Sequence, residues 1–139
     1  FHLKLFRGLA HIAGVLELDS PREGPRMDFC EANKTELLLF GPDGLVYTCG
    51  ECVGNPQYSV GSYYPTLTLD PDRMALWADR SILTIPKCRD CEVALFCGGG
   101  CTYSALILHG DPKNPVCEDR RRVTAEYLAD AAVRLAAQS

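Results

Sequence analysis

Histidine is scarce in this sequence: His2, His11 and His109 are the only three in 139 residues, and they stand apart. No serine or cysteine sits beside a recognisable base motif, so nothing points to a nucleophilic or acid–base catalytic site. Each histidine reads as a surface or capping residue. No glycine loop is followed by Lys-Ser/Thr, which excludes a P-loop. No apolar run approaches the length of a bilayer span, which excludes a transmembrane helix and argues against a membrane partner. Positive charge is in deficit, 14 Lys and Arg against 18 Asp and Glu for a net charge of −4. That balance argues against a nucleic-acid partner. The one basic run, Arg120-Arg121-Arg122, reads as a solvated or ion-paired helix face. An initiating methionine and a signal-peptide pattern are both absent, and the chain opens at Phe1 inside a helical pattern. The expectation is a piece of a longer, cytoplasmic protein.

What the sequence does have is cysteine, eight in all. Four of them fall between Cys88 and Cys101, spaced Cys88-x2-Cys91-x5-Cys97-x3-Cys101. Cys-x2-Cys lets a turn aim two thiolates at one centre. The run Gly98-Gly99-Gly100 lets the backbone fold tightly, with positive φ, between ligands. Three uses of the cysteines compete: disulfides, zinc sites with four thiolates each, and iron–sulfur clusters. Spacing alone does not choose between the two metals.

Around the cysteines, a chain of 47% hydrophobic and 23% charged residues supports one domain with a modest core. Phe1, Leu5, Leu9, Ile12 and Leu16 share one face of a helix expected over Phe1 to Leu18. A Pro-, Gly- and charge-rich linker, Asp19 to Arg26, follows it. Thr35–Phe40 and Leu45–Thr48 flank Gly41-Pro42-Asp43-Gly44 and predict a β-hairpin whose ends carry Cys30 and Cys49. Val53 to Leu69 reads as an irregular loop, with Tyr58, Tyr63 and Tyr64 among its Gly and Pro. Asp70 and Pro71 supply the N-cap and first turn of a helix to about Arg80, with Met74, Trp77 and Ala78 as its buried stripe. A short helix is expected over Ala105 to Leu108. A last helix carries Val123, Tyr127, Ala131 and Leu135 on one face, with Cys117 at its head, where the helix dipole favours a thiolate.

Gaps of two and five residues let Cys88, Cys91 and Cys97 surround one centre, whereas Cys101 lies beyond the glycines. Two-cluster ferredoxins send the last cysteine of a compact run to the other cluster. On that logic Cys88, Cys91, Cys97 and Cys117 form one centre. Cys30, Cys49 and Cys101 form the other, with Cys52 as candidate fourth ligand. Two oxidised four-iron clusters would take the formal charge from −4 to about −8. Lys87, Arg89 and Lys113 lie beside ligand positions and are candidates to offset it. The ligand loops are expected to lack a core of their own, so that residues between Cys30 and Cys117 fold only with metal.

The order Cys30-x13-Gly44-x4-Cys49, then Cys88-x2-Cys91-x5-Cys97-x3-Cys101, then Cys117 resembles the seven-cysteine signature of the SPASM domain. The resemblance spans about Phe29 to Glu118 and includes Pro42-Asp43-Gly44-Leu45-Val46-Tyr47 and the Cys-Gly-Gly-Gly-Cys run. SPASM domains are C-terminal extensions of radical S-adenosylmethionine enzymes, many of them peptide maturases. The resemblance implies two auxiliary [4Fe–4S] clusters, the first on Cys30, Cys49 and Cys101, the second on Cys88, Cys91, Cys97 and Cys117. Members differ in whether the first cluster has a fourth thiolate, which is the place for Cys52. It also implies electron transfer and substrate positioning, with a peptide as substrate. Residues 1–26 would be the tail of, or connection from, a missing catalytic barrel, and residues 27–139 the cluster domain. The Cys-x3-Cys-x2-Cys motif that cleaves S-adenosylmethionine does not occur in this chain, since Cys97-x3-Cys101 is followed by Ser104. S-adenosylmethionine would therefore bind only in the missing barrel, and the chain itself would be an accessory module. The expected fold is a small α+β domain of hairpin, short helices and cysteine-rich loops, stabilised by metal clusters. The alternative is a structural zinc module that mediates binding, and for a chain prepared in air the expectation is either zinc at some of these positions or disulfides instead.

Overall fold

The computed structural model describes residues 25–34, 36–117 and 120–138. The helix expected over residues 1–18 lies outside them, as does most of the linker that follows. Within them the fold is α+β, as its sequence pattern predicts. Strands β1 (Leu39–Phe40), β2 (Leu45–Tyr47), β3 (Gly61–Ser62) and β4 (Thr68–Leu69) form one antiparallel sheet in that order. Helices α1 (Pro71–Ala78), α2 (Ala94–Cys97), α3 (Thr102–His109) and α4 (Arg120–Gln138) follow it. Among the described residues no helix is long and apolar enough to cross a membrane.

The expected hairpin is present, with Leu39 opposite Tyr47 and Phe40 opposite Val46. Its first strand is shorter than the pattern suggested. The Asp43 carboxylate fastens the turn by accepting from Leu45 N and from the Tyr47 hydroxyl. That hydroxyl holds the Asp43 carboxyl below its ordinary value.

The stretch read as an irregular loop supplies two further strands. Gly61 pairs with Val46 on one side and Leu69 on the other. A Cβ at Gly61 would stand 2.1 Å from Thr68 O and 2.9 Å from Leu69 Cα. Only glycine lets β4 come this close. The tyrosines of this stretch divide. Tyr58 packs edge-on against Tyr103, Tyr63 donates to Gly41 O at 2.8 Å, and Tyr64 is exposed.

Helix α1 begins as expected, with Asp70 accepting from Asp72 N and Arg73 N. Trp77 is buried and Met74 packs beside it, but Ala78 faces solvent. Helix α3 starts at Thr102, three residues before the expected position. On α4, Ala131 is buried, whereas Leu135 is exposed.

The ligand loops, expected to lack a core, are built into two. The first joins Val46, Tyr47, Val60, Trp77 and Leu106, and contains Cys49 and Cys52, with Cys30 against it. The second joins Ile82, Ile85, Cys88 and Ala94, with Cys91 against it. Cysteine behaves here as a small hydrophobe as well as a potential ligand.

Gly61→Ala is expected to lower stability by about 1–3 kcal/mol through forced overpacking. Denaturant melts, with amide exchange at Leu69 as the local probe, would measure this. An unchanged midpoint would show that β4 yields without cost.

Candidate metal centre

Five of the cysteines are placed by short local devices. Cys30 and Cys49 are the cap residues of single 3₁₀ turns, Glu31–Asn33 and Gly50–Cys52, and Cys88 ends the turn Pro86–Cys88. Cys97 ends α2, and Cys101 caps α3. Between them Gly98, Gly99 and Gly100 all take positive φ, 66°, 83° and 73°. A Cβ at Gly98 would lie 2.2 Å from Asp28 O. Three successive left-handed residues reverse the chain in the space a normal residue would fill. Cys97 and Cys101 therefore leave the loop toward different neighbours.

Cys88, Cys91, Cys97 and Cys117 line one cavity of about 370 Å³. Its remaining walls include the apolar Val93, Ala94 and Val116 and the cationic Lys87, Arg120 and Arg121. Burial pushes the Cys88 thiol up to about 11, with Cys97, Cys117 and Cys91 adding to the shift. Burial also raises Cys97, opposed by the Arg120 guanidinium. Cys117 is exposed and donates to Pro115 O at 3.6 Å.

The other four cysteines are absent from that wall. Cys52 is wholly buried, and its thiol donates to Cys49. That bond, followed by burial and the neighbouring Cys49 and Cys101, pushes the Cys52 thiol far up. Cys30 is 3.9 Å from Asn33 Oδ1. The buried Asn33 amide donates to Trp77 O and to Thr102 Oγ1, both at 2.9 Å. This link ties the turn after Cys30 to the start of the helix that Cys101 caps.

The structure thus brings together Cys88, Cys91, Cys97 and Cys117 around one space, and Cys30, Cys49 and Cys52 in and against the first core with Cys101 nearby. All eight thiols are free. Among the described residues, no three Cys, His, Asp or Glu side chains converge tightly enough to hold a single ion. Zn–S bonds near 2.3 Å would draw four thiolates to about 3.8 Å of one another. The second group instead surrounds a space with apolar walls and cationic edges, and a thiolate-held group larger than one ion fits that donor set. The first group is more closely packed, and only its donor set bears on the fit.

The basic run is not simply a solvated face. Arg122 pairs with Glu126 at 2.8 Å and Arg121 with Glu92 at 3.3 Å, as an exposed run would. Arg120 is buried, lines the cavity and lies over the Phe29 ring at 5.3 Å. Of the cations expected beside the ligands, Lys87 is at the cavity, whereas Arg89 and Lys113 are exposed and away from it. Arg80, which no sequence pattern singled out, is buried and hydrogen-bonded to the glycine loop. An arginine just past the end of a helix carries no signal of burial.

Comparisons with protein-family models, curated proteins and solved structures found no match. The reading of the site therefore rests on its own residues.

A thiol held near 11 keeps its proton at neutral pH, so filling the second group must expel it. More thiolate at higher pH means tighter binding. The affinity of the reduced chain for cadmium is expected to rise about tenfold per pH unit for each proton released between pH 6 and 9. Competitive titration with a chelator measures it, and a flat profile would contradict the assignment of Cys88.

Proposed function

We propose that this chain is the auxiliary iron–sulfur module of a radical S-adenosylmethionine enzyme, a SPASM-like domain holding two [4Fe–4S] clusters. The observation that carries the reading is the shared cavity of Cys88, Cys91, Cys97 and Cys117. Cys117 lies 20 positions beyond Cys97, yet it joins Cys88, Cys91 and Cys97 in the set that the spacing resemblance assigns to one cluster. Cys30, Cys49 and Cys101, with Cys52, would hold the other. Cys52 is completely buried beside Cys49, which favours it as the fourth thiolate.

When bound, such clusters accept and relay single electrons, with potentials tuned by burial and hydrogen bonding. The chain's own residues would set those conditions. Apolar side chains from the two cores exclude water from Cys49, Cys52 and Cys88. Cys117 and Cys91 leave one side of the second group open toward solvent, the natural side for electron exchange. The catalytic barrel, S-adenosylmethionine and a peptide substrate would belong to the parent enzyme, in the cytoplasm.

A second reading, a structural zinc module, is favoured by one feature. Cys49 and Cys52 flank one 3₁₀ turn in the Cys-x2-Cys spacing that two ligands of a single ion adopt.

Protein prepared without oxygen is expected to contain about eight irons and eight sulfides per chain, with brown charge-transfer absorption. Zinc without sulfide would establish the second reading instead. Cys97→Ala is expected to leave about four irons per chain, because it empties only the second group. Equal loss from both groups would overturn the ligand partition.

A further inference from the structure

The side chain most at odds with its surroundings is Arg80. It follows the C-terminus of α1 and is only 1% exposed. Its Nη1 donates to Gly100 O at 2.6 Å, its Nη2 to Gly99 O at 2.7 Å, and its Nε to Pro112 O. These carbonyls satisfy its donors but not its charge. Among the described residues, no carboxylate lies within ion-pair reach of Arg80. A guanidinium does not shed its proton in a protein, so the charge stays. An isolated buried cation costs several kcal/mol unless an anion offsets it.

Thiols of both groups act electrostatically on Arg80. Cys101 and Cys30 belong to the first group, Cys88 and Cys97 to the second. The glycine loop creates this position. Positive φ at Gly99 and Gly100 turns successive carbonyls to the guanidinium, and a Cβ at Gly99 would stand 2.8 Å from Ile85 Cδ1. The same loop separates Cys97 from Cys101. Arg80 therefore sits on the partition between the two groups.

We propose that Arg80 is a positioning residue shared by the two centres, its single buried charge offsetting the negative charge of both at once. This rests on the cluster reading above. A cation close to both centres stabilises the more negative, reduced form of each and raises both potentials. Arginine suits the place better than lysine, because its planar fork binds two successive carbonyls while presenting charge to either side.

The test is a redox titration, followed by electron paramagnetic resonance, of anaerobically prepared wild type, Arg80→Met and Arg80→Lys, with iron and sulfide counted in each. Arg80→Met is expected to shift both centres to more negative potential, by about tenfold in the reduction equilibrium, ~59 mV for a one-electron couple. Arg80→Lys is expected to stay closer to wild type, since it keeps the charge and loses the fork. Arg134→Gln, which removes an exposed charge paired with Asp130 on α4, is expected to move neither centre. A shift at one centre only, no shift, or equal effects of Arg80→Met and Arg134→Gln would overturn the proposal. If Arg80→Met cannot be loaded, full cluster content in Arg80→Lys supports the role of charge. Equal failure of both variants overturns it in favour of the hydrogen-bonded fork alone. Wild type that takes up no iron and sulfide overturns the cluster reading itself, a result distinct from any failure of the Arg80 variants.

Discussion

One buried guanidinium ties together the parts of this chain that carry its chemistry. Arg80 joins the end of α1 to Gly99 and Gly100 of the glycine loop and to the Pro112 turn. Those carbonyls can reach it only because three successive glycines take left-handed conformations. The loop in turn fixes where Cys97 and Cys101 emerge. Without these hydrogen bonds, the glycine run would be the most freely moving segment of the site, given the conformational freedom of glycine.

Five of the cysteines lie in or against two apolar cores. Cys49 and Cys52 pack with Val46, Tyr47 and Trp77, while Cys88 packs with Ile82 and Ile85. Burial serves two ends. It contributes hydrophobic stability, and it raises the thiols Cys88 and Cys97 above their ordinary values. A protonated thiol is a compatible core residue, whereas a buried thiolate needs a cation. Cations stand where such thiolates would form, with Lys87, Arg120 and Arg121 at the second cavity and Arg80 against the glycine loop.

Much of the local structure was legible because it is written in local chemistry. Asp70-Pro71 announced α1, since an N-cap and a first-turn proline act within one helical turn. Gly41-Pro42-Asp43-Gly44 announced the β1–β2 turn for the same reason. Strands β3 and β4 were not legible, because two-residue strands in a stretch of Gly, Pro and Tyr carry no alternating pattern. They exist because Gly61 allows a close approach that only the partner strand defines. The basic run misled for a similar reason. Arg120, Arg121 and Arg122 are equivalent in sequence, but α4 buries the first against Phe29 and the cavity, leaves Arg121 at the cavity's exposed rim beside Glu92, and turns Arg122 toward Glu126.

The sequence by itself determined which residue types could make a site: eight thiols, their spacing, and a glycine run between two of them. It also determined the turns and caps, whose causes lie within a few residues. Tertiary structure decided what no local pattern can encode. It drew Cys117 to Cys88, Cys91 and Cys97 around one space, and it brought Cys101 near Cys52. It also buried Arg80 between the two groups. Which side chains meet across such sequence distances depends on how whole elements pack, and the same packing sets the burial that shifts each thiol.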